Sequence, residues 1–323
     1  MEKKKFKINP HIIFAIVAIV IIVIIVRKFW GFGNIITKED IDKIPTPENA
    51  EIQPLDYFLP LMAEDDGTFP ADDGVTTVVC FGNAPFSDDR NSSENLCNLF
   101  AEATGATVYN CSIMDSCMAS KCYTFSPDIY PMDAFSFYYL STIFTQGNNE
   151  MVTQAFNAMS VPEDIEESVS LLQSIDFTTV DAIFIMYDGM DYIASHPIIN
   201  PDNFTDITTF NGSMAAGISL IQETYPWIRI IVMSPSYAYG FDENGELISS
   251  DKKAYAGYLS TYVFNQADTA SRLGVTFVDN LYGSIHEDNA PEYLIDHRHL
   301  NLAGRKIIAS RMEDALEAYT NIY

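Results

Sequence analysis

The sequence predicts a doubly wound α/β domain, a three-layer α/β/α sandwich around a five-stranded parallel sheet, preceded by one N-terminal transmembrane helix. Two patterns carry this prediction. Five short β-branched apolar runs, 76–81, 106–110, 180–186, 228–234 and 275–278, alternate with helical patterns. Parallel strands covered by helices on both faces read this way. Ahead of them an unbroken apolar stretch runs from Ile12 to Val26.

That stretch is fifteen residues, against about twenty for a full span. The flanking Pro10, His11 and Trp30, together with snorkelling Lys3, Lys4, Lys5 and Lys7, extend it. No small-x-small cleavage site follows, so residues 1–30 read as an uncleaved signal anchor rather than a signal peptide. More positive charge precedes the run than follows it. The expected orientation is a cytoplasmic N-terminus with the C-terminal domain outside the membrane.

Residues 31–73 form an acidic tether interrupted by Pro45, Pro47, Pro54, Pro60 and Pro70. The domain proper occupies 74–323. Helices are expected near 93–103, 209–224, 252–272 and 302–319. The stretch 111–179 is too long for a simple crossover. It predicts an insertion with helices near 132–145, 150–159 and 163–174, placed as a cap over the site. Its Phe135, Phe137, Tyr138 and Tyr139 suit either sugar stacking or helix packing.

Charge is unevenly divided. Residues 1–43 hold eight Lys/Arg against four Asp/Glu, and the rest holds ten against forty. So acidic a body repels nucleic acid, which excludes a DNA or RNA role. The five cysteines, Cys80, Cys97, Cys111, Cys117 and Cys122, lack metal-ligand spacing. Cys80 reads as core; Cys117 and Cys122 are open to pairing or to remaining thiols.

The chemistry lies in four segments. The last contains Asp296 and His299, a carboxylate three residues ahead of an imidazole it can hold in one tautomer. The others are Phe81-Gly82-Asn83-Ala84, Asn110 to Ser116, and Asp188-Gly189-Met190-Asp191. In order and spacing these resemble the signature blocks of the SGNH (GDSL-type) hydrolases over roughly residues 74–320. The resemblance implies a flavodoxin-like three-layer fold and acyl-ester chemistry on carbohydrate or cell-wall O-acetyl groups, with no cofactor and no metal.

It also implies roles. Ala84 stands where the family has its nucleophilic Ser. Asp115 and Met190 stand where a Gly backbone N–H and an Asn side chain bind the oxyanion. Asp296 and His299 are the retained base pair. Alanine has no hydroxyl and methionine donates no hydrogen bond. A carboxylate at Asp115 opposes an oxyanion. The expected function is therefore a degenerate, membrane-anchored protein that binds a cell-surface carbohydrate or cell-wall polymer, with the bilayer as its other partner through Ile12 to Val26. The alternative is an active esterase or acetyltransferase with a relocated nucleophile, Ser87, Ser112 or Ser116, served by His299 and Asp296. Ser87 has a second reading as a cap of the following turn. Asp115, Asp188 and Asp191 are expected to converge. Asp191 bonds backbone in the family's pattern. His196 and His286 read as loop residues without partners.

Overall fold

The structure is a computed structural model of the 323-residue chain, and it describes residues 53–61 and 67–318. The anchor at 1–30 and most of the tether lie outside the described residues. Among the described residues no helix is long and apolar enough to cross a membrane.

Five parallel strands form one sheet: β1 Thr77–Gly82, β2 Thr107–Asn110, β3 Ala182–Met186, β4 Arg229–Met233 and, after a small antiparallel pair (β5 Gly240–Phe241, β6 Leu247–Ile248), β7 Thr276–Val278. Their order is β2-β1-β3-β4-β7. From β1 the chain steps outward to β2, then crosses back to place β3 on β1's other side. That reversal opens a crevice at the carboxyl ends of β1 and β3, where ligands bind in open α/β sheets. β1, β3 and β4 are buried throughout except for Arg229, which fits their continuous Val, Ile and Phe content. Gly82 closes β1 because a Cβ there would lie 1.9 Å from the Met186 carbonyl oxygen.

The covering helices are α1 Ala84–Ser87, α2 Leu96–Thr104, α3 Phe137–Gln146, α4 Glu150–Ala158, α5 Glu163–Ser174, α6 Met190–Ile193, α7 Phe210–Thr224, α8 Leu259–Leu273, α9 Asn280–Gly283, α10 Ala290–Tyr293 and α11 Leu302–Glu317. Their ends are set locally. Thr209 caps α7 and Asn301 caps α11 by accepting the Gly212 and Gly304 N–H groups, while Gly274 ends α8 in the left-handed region. The expected helix at 252–272 starts seven residues late: 252–258 is a turn that carries Tyr255 against Tyr192.

The first helix of the insertion does not cap the crevice. α3 packs against α7, and Phe137 and Phe144 contact Phe81 of β1, so this helix belongs to a layer on the sheet's face. Phe135 and Phe137 are fully buried and Tyr139 nearly so, which favours packing over sugar stacking.

Part of the expected tether is also structured. Tyr57 forms an antiparallel bridge with Phe277 of β7, and its ring stacks on that phenylalanine. Asp56 pairs with Arg311 at 2.7 Å and accepts the Asp279 N–H, while Leu55 donates to the Asp279 carboxylate. The segment 53–61 thus covers the outer edge of β7.

Candidate functional site

The site is assembled by the loops that follow β1, β2, β3 and β7. At the end of β1 the Asn83 side chain is fully buried and fully used. Its Nδ2 donates to the Asp188 carboxylate at 2.8 Å and to the Ser116 carbonyl at 2.9 Å, and its Oδ1 accepts the Asp188 N–H. One amide therefore ties three carboxyl-end loops together across the crevice.

Asp188 is buried yet satisfied. Besides Asn83 it accepts the Met190 N–H at 2.9 Å and a guanidinium N–H of Arg298. Arg298 reaches on to Asp115 at 2.6 Å. Burial works to lower the Arg298 pKa, but the Asp188 and Asp115 carboxylates prevail and raise it, so the guanidinium stays charged. Asp115 has φ of 57°, a left-handed backbone that glycine favours and aspartate tolerates.

Arg298 lies inside the Asp296–His299 segment. Leu294 and Leu300 bridge its base, and the Asp296 Oδ1 accepts the backbone N–H groups of Arg298 and His299, both at 2.9 Å. The other oxygen bonds His299 Nδ1 at 2.7 Å. Asp296 thus shapes its own loop; the cap of α11 is Asn301, not this carboxylate. Burial works to raise the Asp296 pKa, but the His299 and Arg298 hydrogen bonds hold the carboxyl well below its usual range. An ionised Asp296 fixes the proton on Nδ1, leaving Nε2 as the basic nitrogen.

These loops enclose an open cleft of about 490 Å³ whose walls include Asp88, Asp115, Asp296, Arg298 and His299. Asp88 is half-buried, and desolvation raises its pKa against the lowering effect of His299 and Arg305. Arg305 pairs with Asp89 at 2.6 Å on the rim.

The remaining expected residues fall as follows. Ala84 is buried at the start of α1. Ser87 is buried too, and its hydroxyl points to the Met114 sulfur at 3.6 Å; it neither caps a turn nor bonds His299. Ser112 donates to Asn110 and Ser116 to the Ile113 carbonyl. Among the described residues none of the three serine hydroxyls hydrogen-bonds His299. Asp115 and Asp188 meet, through Arg298. Asp191 does not join them: it accepts the Met118 and Ala119 N–H groups at 2.7 and 3.0 Å.

Two residues escaped the sequence reading. Arg298 is one; the signal available was a cation between two motif residues, opposite acids expected to converge. His196 is the other. It lies in a loop, as expected, but is 3% exposed and bonds Asp191 at 2.8 Å through Nδ1, so it is buried and partnered. His286 does lie on the surface, 4.0 Å from Asp288.

Solved structures share this fold. A protein from Lactobacillus plantarum is 16% identical with a TM-score of 0.52, the match covering 76% of this chain and 98% of that one. A possible lipase from Chitinophaga pinensis is 13% identical with a TM-score of 0.51 and the same coverage. This chain has an SGNH/GDSL hydrolase-like fold. A provisional GDSL-like lipase from Bacteroides ovatus aligns at 12% identity and a TM-score of 0.44, over 76% of this chain and 99% of that one. No protein-family model matches the sequence, and no curated protein matches it significantly. In this chain the Asp296–His299 pair stands in the cleft beside Asp88 and Asp89, which follow β1, and Met114 and Asp115, which follow β2.

Proposed function

We propose that this protein is a membrane-anchored, extracytoplasmic SGNH-fold protein that binds a cell-surface carbohydrate or cell-wall polymer in its cleft without cleaving it. One observation carries the reading: the Arg298 guanidinium is held between Asp115 and Asp188. Acyl transfer needs donors aimed at a developing oxyanion. Here the strongest donor at those loops is already neutralised by two carboxylates, and Met190 spends its N–H on Asp188. The base half of a catalytic site remains in Asp296 and His299, but Ala84 supplies no hydroxyl for it.

The same groups suit a polyhydroxylated ligand. Asp115, Asp89 and Asp88 line the cleft of about 490 Å³ and offer acceptors to the hydroxyls of a sugar. The anchor proposed at Ile12 to Val26 would keep this surface near the envelope.

The test is a fluorophosphonate probe applied to the purified full-length chain. No covalent labelling is expected. Labelling that disappears in His299→Ala would establish an active serine and overturn the binding reading.

A further inference from the structure

A second group of chemically capable side chains sits beneath the cleft loops and takes no part in the cleft. Sγ of Cys117, a carboxylate oxygen of Asp191 and a ring nitrogen of His196 lie within 4.8 Å of one another. Asp191 and His196 are buried, and Cys117 is partly exposed. We propose that Cys117, Asp191 and His196 form a site for a divalent transition-metal ion of the zinc type, with solvent as the fourth ligand on the exposed Cys117 side.

The donor set is what points to zinc. Thiolate, imidazole and carboxylate together suit this borderline-soft ion, whereas oxygen-only sets suit calcium or magnesium. The frame is built before any ion arrives. Asp191 is fixed by the Met118 and Ala119 N–H groups, and the His196 carbonyl accepts the Tyr262 hydroxyl. The His196 Nδ1 and Asp191 Oδ1 atoms already face each other at 2.8 Å, so an ion enters by displacing the proton they share to solvent.

Tetrahedral zinc, with bonds of about 2.0–2.3 Å, places its ligand atoms roughly 3.3–3.8 Å apart. The His196 and Asp191 atoms are already 2.8 Å apart, so the adjustment falls chiefly on the Cys117 sulfur, within reach of a rotation of that partly exposed side chain. Charge favours the same event. Asp191, with Asp188 and Asp133 nearby, gives the pocket a negative field that attracts a divalent cation, and binding through the thiolate releases the Cys117 proton to solvent.

The experiment is a cobalt(II) titration of the reduced, metal-free, full-length protein. Expected is one equivalent with a thiolate-to-cobalt charge-transfer band and four-coordinate visible bands, displaced by zinc. The band should be lost in Cys117→Ser and kept in Cys122→Ser. Zinc at a hundredfold excess over its Kd should raise Tm by about 5–10 °C. In the unmutated protein, peptide mapping after alkylation should show zinc protecting Cys117 selectively among the five cysteines. Absence of the charge-transfer band, its persistence in Cys117→Ser, or protection of a different cysteine would each overturn the proposal.

Discussion

Arg298 is the residue on which the cleft's character turns. It is the cation between a buried and an exposed carboxylate, and removing it strands the buried one. Breaking a buried pair by deleting one partner costs about 3–5 kcal/mol. Arg298→Gln should therefore lower stability by roughly that amount in chemical denaturation. Arg298→Gln with Asp188→Asn should recover most of the loss, because no unpaired charge remains. Equal instability of the double variant would mean Arg298 matters for shape rather than charge. Asp88 makes the opposite case. Its pKa is raised by desolvation, so its folded form prefers the proton and ionisation at neutral pH costs stability. Asp88→Asn should stabilise the protein at pH 7. As pH falls through the raised folded pKa toward the unfolded value of about 3.9, the wild type gains the proton and the advantage should vanish. A pH-independent difference would remove ionisation as its cause.

At the scale of elements, the five strands were legible because parallel strands covered on both faces write themselves as apolar runs. Their centres were right, while their ends moved by one or two residues, as ends do. α8 was misread at 252–258 because Lys252, Lys253 and Tyr255 look helical in isolation; tertiary contact of Tyr255 with Tyr192 wins there. The insertion was found but misplaced. Periodicity says that a helix has an apolar face, not which surface meets it. The segment 53–61 was read as tether because prolines and acids mask its one pairing residue, Tyr57. Its hold is concentrated in Asp56, which serves Arg311 and the Asp279 N–H. Asp56→Ala should cost about 1.5–3 kcal/mol, since hydrogen bonds to a charged group are lost. An unchanged denaturation midpoint would show that the stacking of Tyr57 on Phe277 suffices.

For the whole molecule, the SGNH/GDSL-like architecture was legible from the order of four short segments, and the cleft is where those segments converge. What the cleft does was less legible, because function depends on how charges pair in space. Asp115 and Asp188 lie 73 residues apart, and only the folded chain shows Arg298 between them. The substitutions can be reversed together. Ala84→Ser with Asp115→Gly and Met190→Asn puts a hydroxyl at the start of α1, a glycine in a left-handed position and a side-chain donor at the start of α6. Measurable hydrolysis of a small acetyl ester is expected from this triple variant. A folded but inert protein would place the divergence elsewhere in the cleft.

The docking of residues 53–61 on β7 also bears on the time course of folding. The Asp56–Arg311 contact joins positions 255 residues apart, and Leu55 meets Asp279 across 224. One partner of each contact is synthesised well before the other, so the fifth strand and its cover assemble only after the intervening chain is made. Contacts this distant in sequence slow folding and leave a strand edge exposed in the interval. The segment that looks like a mere lead-in is thus the piece that must wait longest for its place.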